Sequence, residues 1–209
     1  MVPPPTEHED PRRVKSRERV LAAAVAVLRE SGHDGLTVES VAARSGVAKT
    51  TIYRQFADSE ELHLAAVHSV GCEIAMAHSP ELIADVTAFC QALNQMLRTS
   101  DFGALLPTAL DGAERSESFA GLMHDIGVQR RRVLADRLKQ AQADGVLSAA
   151  ADLDLVTSQL VGPLFYRRFI SRQATGPAFV ARHVAAVLMP LLGATCASPG
   201  SGARSRSAR

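Results

Sequence analysis

"VESVAARSGVAKTTIYRQF", residues 38–56, is two short helical stretches hinged on one glycine. Thr37 stands before the first as a good N-cap, and Leu36 and Val41 sit at hydrophobic-staple positions around it. The helix predicted over Val38–Ser45 ends at Gly46, and a second runs from about Ala48 to Gln55. Val47 and Ile52 again occupy staple positions, but Ala48 is a poor N-cap. A helix, a Gly-containing turn of about three residues and a second short helix form the layout in which the second helix enters the DNA major groove while the first crosses the backbone.

The side chains of the second helix suit that role. A helix built only for solubility mixes Glu with Lys; this one carries Lys49, Thr50, Thr51, Tyr53 and Arg54 and no acid. Lys49, Thr50 and Thr51 lie near its start, within reach of base edges or a phosphate, and Ala48 with the threonine methyls suits thymine methyl groups. Ile52 and Phe56 are four apart and apolar, so that side packs inward against Val38, Val41 and Ala42. Tyr53 and Arg54 then flank the groove as phosphate donors. Taken singly, each polar residue also reads as ordinary surface.

Charge follows the same division. The whole chain is +1, but residues 11–57 hold nine Lys/Arg against four acids, a net +5 that leaves −4 for the rest. A helix is predicted over 13–31, with Val20, Leu21, Ala24, Val25 and Leu28 at helical spacing and Gly32 as its stop. Its start, Arg12 to Arg19, opposes the helix dipole, so those cations, Arg17 among them, are candidates for DNA contact. Asp58 opens a fourth helix with Glu61 three residues on, an Asp form of the capping box, and the apolar pattern carries it to about His78.

Further helical patterns fall at about 80–98, 101–112, 116–143, 152–172 and 177–193. Ser79 suits the cap of the first, Gly145 the stop of the third, and Pro163 should kink the fourth and free a carbonyl. The expected organisation is a tail over 1–10, a DNA-binding domain over 11–57, a connecting helix over 58–78, a C-terminal domain over 79–194 and a basic tail over 195–209. Low aromatic content (4%), no Trp and abundant Ala, Leu and Val make the fold class all-α.

Other chemistries find little support. Cys72, Cys90 and Cys196 form no CxxC or Cys/His cluster and their odd number gives no disulfide framework, which suits a reducing cytoplasm. No apolar run reaches membrane-spanning length, and "MVPPPTEHEDPRRVK" lacks the apolar core of a signal peptide, so a soluble, cytoplasmic protein is expected. The seven histidines lack the spacing of helical zinc sites; no metal and no cofactor are expected. There is no nucleophile elbow, phosphate-cradling Gly loop or paired acid motif, so no catalytic residue is assigned. "QRRRVLADRLKQ", residues 129–140, spreads its arginines round a helix and reads as a solvated face.

The stretch "RVLAAAVAVLRESGHDGLTVESVAARSGVAKTTIYRQFADSEELHLAAV", residues 19–67, resembles the N-terminal domain of TetR-family transcriptional regulators almost without gaps. The resemblance implies an all-α homodimeric repressor whose third helix reads a palindromic operator in double-stranded DNA, with a divergent C-terminal domain for a small-molecule effector and dimerisation. It implies phosphate contacts from Thr37 and Tyr53 and groove contacts from Lys49, Thr50 and Thr51. Where the family commonly has Lys in a "SKEEL"-like phrase, this chain has "DSEEL", with Ser59 in that place; the Arg12–Arg19 arm is the candidate substitute.

Two half-sites require a dimer. Helices 152–172 and 177–193 are the candidates, through Leu160, Leu164, Val180, Val184, Val187 and Leu188; intrachain core is the other reading of the same faces. An apolar effector pocket is expected among the C-terminal helices, with Phe89, Met96, Phe102, Met123, His124 and Tyr166 as candidate lining. A helical module that binds nucleic acid without sequence choice remains the alternative function.

Overall fold

The computed structural model describes residues 11–71 and 74–193. Both expected tails lie outside them, as do Cys72 and Cys196. Among the described residues nine α-helices follow one another: α1 (Pro11–Ser31), α2 (Val38–Ser45), α3 (Lys49–Tyr53), α4 (Ser59–Ser69), α5 (Leu82–Thr99), α6 (Asp101–Arg115), α7 (Glu117–Ala143), α8 (Leu153–Phe165) and α9 (Pro177–Leu188). Among the described residues there is no strand, only an isolated bridge between Leu147 and Leu192. No helix there is long and apolar enough to cross a membrane.

The chain divides into two compact units, one of residues up to 73 with 94–130, the other of 74–93 with 131 onward. This differs from the linear division expected from sequence, in which everything after 79 stood apart. In the first unit α1 packs against α2, α4 and α6, and α2 against α3. Its core runs from Val20, Ala24 and Leu28 of α1 through Leu36, Val41, Ile52, Phe56 and Leu62 to Leu105 of α6. Leu105 explains the difference: a DNA-binding domain of three helices, two of them short, has one open face, and α4 and α6 close it.

Local chemistry fixes the helix ends. Thr37 caps α2 through a full capping box, its Oγ1 accepting from Ser40 N while Ser40 Oγ accepts from Thr37 N, each at 3.0 Å. The sequence reading had the cap but not Ser40 as its partner. Leu36 with Val41 and Val47 with Ile52 are all buried, as staples require. Asp58 Oδ1 accepts from Glu61 N at 2.8 Å, but the Glu61 carboxylate reaches back to Ala57 N rather than to the cap residue.

α4 corrects the expected connecting helix over 58–78. It ends at Ser69, where Gly71 N donates to His68 O, and residues 74–79 are not helical. A Cβ on Gly71 would lie 3.1 Å from that carbonyl, a close approach that glycine eases. The apolar pattern of Ile74 to Ala77 continues past Val70 although those residues are not helical.

In the second unit Asp85 of α5 and Arg137 of α7 form a buried ion pair. Arg137 Nε and Nη2 donate to Asp85 Oδ2 at 3.0 and 2.9 Å, and Nη2 also reaches Ser79 O. Ser79 in turn donates to both Asp85 oxygens, so every charge-bearing atom of the carboxylate is met. Burial pushes the Asp85 carboxyl up, but the bonds from Ser79 and Arg137 outweigh it and hold it below the usual carboxylate value.

α8 packs on α9 with Val156, Leu160, Leu164, Val180, Val184 and Leu188 buried. Pro163 acts as expected: with no N–H to give, it leaves the Gln159 carbonyl without its helical donor, and His183 Nε2 of α9 lies 3.0 Å from that oxygen. The expected helix over 152–172 keeps α geometry only to Phe165 and continues as a wider π turn over Tyr166–Ile170.

Candidate nucleic-acid interface

Gly46 sets the turn. It adopts φ +67°, a left-handed conformation that any side chain would strain, and its N–H closes on Ala42 O. Arg19 of α1 donates to the Ser45 carbonyl beside it, so one cation of the basic arm serves the turn rather than DNA. Arg17 is likewise engaged, its guanidinium 4.6 Å from the centre of the Phe56 ring. Within the arm from Arg12 to Arg19, Arg12, Arg13, Lys15 and Arg19 are exposed and Arg17 is half-buried; Arg19 holds the turn at Ser45 and Arg17 the end of the helix-turn-helix at Phe56.

α3 is shorter than the 48–55 expected, a single five-residue turn. Ala48 precedes it with no side-chain cap, as its sequence implied, and its carbonyl accepts from Thr51 N and Ile52 N. Ile52 is fully buried and Phe56 nearly so, which fixes the rotation of the helix. The opposite side carries Ala48, Lys49, Thr50, Tyr53 and Arg54, all exposed, with Thr51 half-buried at the edge. Tyr53 is 52% exposed, its ring and hydroxyl both open to a partner. Thr37 is exposed at the start of α2.

One feature was not visible within the helix itself. Lys49 Nζ donates to Glu39 Oε1 of α2 at 2.7 Å and lowers the Glu39 carboxyl from its usual value. The acid absent from the reading helix is supplied by its neighbour, ten positions upstream. Arg44 is similarly held, bidentate on Glu30 of α1 at 2.6 and 2.7 Å, a pair that fastens α1 to α2. Both pairs are exposed, so each is open to exchange with another anion.

The effector residues expected from sequence fall in both units. Phe89 and Tyr166 belong to the second unit and Met96, Phe102, Met123 and His124 to the first. His124 is exposed and Tyr166 is 57% exposed, while Phe102 is buried under the Arg130 guanidinium at 3.5 Å. Phe89, Met96 and Phe102 are buried as core residues and Met123 is half-buried. The expected dimer residues also need correction. Leu160, Leu164, Val180, Val184 and Leu188 have no exposed surface in the single chain, and Val187 is half-buried. They form the inner seam of α8 and α9, because an apolar face has the same periodicity whichever helix covers it. The exposed apolar side chains nearby are Leu155, Tyr166, Ile170 and Met189.

Comparison with known proteins agrees with this layout. Residues 20–66 match the family model for bacterial regulatory proteins of the tetR family, and residues 78–187 match that for a tetracyclin repressor-like C-terminal domain. The uncharacterized HTH-type transcriptional regulator YdeS of Bacillus subtilis is 24% identical over 172 residues, covering 81% of this chain and 86% of YdeS. Its counterpart Rv1556 of Mycobacterium tuberculosis is 27% identical over 190 residues, covering 88% and 91%. Among solved structures, the TetR family transcription regulator SCO0332 superposes with a TM-score of 0.63 at 27% identity, covering 85% of this chain and 98% of that one. With an exposed reading helix locked behind a glycine turn and both family models matched along its length, the chain belongs to the TetR family of transcriptional regulators.

Proposed function

We propose that this regulator is a homodimeric repressor that binds a palindromic operator through α3 and is released by a small-molecule effector of the C-terminal domain. The observation that carries the reading is α3 itself: Ile52 buried on one side, Lys49, Thr50, Tyr53 and Arg54 exposed on the other. Thr50, Thr51 and the Ala48 methyl face base edges; Lys49 leaves Glu39 for the groove; Tyr53, Arg54 and Thr37 hold phosphates. The exchange of Lys49 from a carboxylate to DNA costs little, because an exposed pair is worth at most about 1 kcal/mol. Arg17 supports the interface through Phe56 rather than by direct contact.

Dimerisation fits the outer side of α8 and the segments that follow α8 and α9, where Leu155 of α8, Tyr166 and Ile170 of the π turn and Met189 just past α9 are exposed. Effector binding acts by changing the separation of two reading heads, which alters affinity for both half-sites together. The test is competition at fixed salt between a duplex selected from a random pool and its scrambled version. Preference by roughly a thousandfold or more supports sequence-specific regulation. Equal binding of both duplexes, with only a salt-dependent affinity, would instead support a module that binds nucleic acid without sequence choice.

A further inference from the structure

The turn after α1 and the middle of α4 meet in a contact that DNA reading does not require. His33 Nδ1 and His63 Nδ1 lie 2.8 Å apart, with ring centroids at 4.8 Å. His63 is 1% exposed, and its Nε2 has no hydrogen-bond partner. Phe119, at the start of α7, lies edge-on to the His63 ring at 4.4 Å. Phe119 is itself seated on Gly112 of α6, where a Cβ would come within 3.1 Å of the ring. Beside this cluster is a cavity of about 290 Å³, lined also by Ser59, Glu60, Arg115 and Ser116. Four elements of the first unit therefore converge on one imidazole pair.

We propose that the His33–His63 pair is a proton-operated latch that holds the DNA-reading helices against the α6–α7 corner when neutral and opens when His63 is protonated. The gap between the two Nδ1 atoms holds one proton, donated by one ring and accepted by the other. A charged His63 carries N–H on both ring nitrogens: its Nδ1–H can still donate to a neutral His33, but its buried Nε2–H has no acceptor, and charging both rings would set two N–H groups face to face at 2.8 Å. The unmet Nε2–H is relieved when the ring leaves its site. The other charged groups around the pair do not replace the missing acceptor. Glu60 of α4 accepts from the Ser116 hydroxyl, and Arg115 of α6 is paired with Asp111. Arg29 and Glu30 of α1 are engaged with Asp101 and Arg44 at the surface.

The direction of the response follows from linkage. Burial first, and the His33 charge second, lower the His63 pKa from 6.5 to about 4. The latch is at full strength above the free value and weakens as pH falls from 6.5 towards about 4, because protons bind the open form preferentially. Opening becomes about tenfold more favourable between about pH 7.5 and about pH 5.5.

Amide hydrogen exchange of the full chain without DNA, corrected for intrinsic rates, tests the latch. Exchange of Ser59–Ser69 should rise about tenfold over that pH interval while that of α8 changes little, and His63→Gln should abolish the rise. An equal rise in His63→Gln, or none in the wild type, overturns the proposal. Should the variant fold poorly, the ring C2–H resonance of His63 in the wild type decides: titration near the free value overturns the latch, and a midpoint well below it supports it. The consequence for repression rests on the DNA-binding reading and is measured separately, as loss of duplex affinity at the lower pH. Exchange that rises without such a loss keeps the latch and removes its regulatory link.

Discussion

Thr50 and Tyr53 share one exposed face of α3 but point to different chemistry. In the proposed complex a threonine offers a hydroxyl and a methyl to base edges, whereas the Tyr53 hydroxyl, on a rigid ring at the rim, is assigned to a phosphate. Tyr53→Phe should therefore weaken binding to all duplexes alike, while Thr50→Ala should change which bases are preferred at one position of each half-site, by about 1 kcal/mol or more. Reversed effects in a quantitative binding assay would exchange the two assignments. Lys49 adds a residue-scale test that only the structure suggests. Because Glu39 holds its ammonium at 2.7 Å, Glu39→Gln should free it and raise affinity for any duplex several-fold, with a steeper salt dependence. Unchanged affinity would place Lys49 outside the contact. At this scale the sequence was legible where a residue's role depends on near neighbours: the Thr37 cap, the Gly46 turn and the inward Ile52 and Phe56 were all apparent. Partners far along the chain were not. Nothing local marks Arg17 for the Phe56 ring or Arg19 for the Ser45 carbonyl, since a basic arm and a structural clamp have the same composition.

Helices were legible wherever a cap and a stop bracketed an apolar repeat. α2 and the end of α7 lie where those signals put them, and Pro163 freed a carbonyl that His183 now meets. α4 was overextended because its apolar pattern outlasts its hydrogen bonding, and Gly71 is the signal that should have ended it. The faces of α8 and α9 were identified as apolar, with a second copy and the chain's own core as the two readings, and within the single chain Leu160, Leu164, Val180, Val184 and Leu188 are buried. Periodicity reports that a face is buried, not which chain buries it. The join between α5 and α7 depends on a pairing that no periodicity reveals, Asp85 with Arg137, each almost wholly buried. Arg137→Ala leaves a buried carboxylate with only Ser79 to meet it, and should cost about 3–5 kcal/mol in urea unfolding monitored by circular dichroism. A loss below about 1 kcal/mol would mean that the pair is solvated and unimportant. Since Asp85 is held below its usual value, its contribution is present at neutral pH and lost as pH falls through its lowered folded value.

For the molecule as a whole, the all-α class and the DNA-reading segment were apparent from composition and from residues 19–67, yet the grouping of helices into units was not. Closing the open face of a small reading domain with α4 and α6 is a consequence of core size, and it couples the start of the C-terminal region to the DNA-binding helices through shared apolar contacts such as Leu105. That coupling gives a regulator something to act through. It also means that the reading helices are best studied in the full chain. The most direct test is selection of duplexes by the full-length protein from a randomised pool, followed by sequencing. A dimeric reader in which α3 enters the groove should enrich an inverted repeat, with half-site centres about one helical turn, roughly 34 Å, or a multiple of it apart. Recovery of unrelated sequences with no shared half-site, at an affinity set by salt alone, would contradict it.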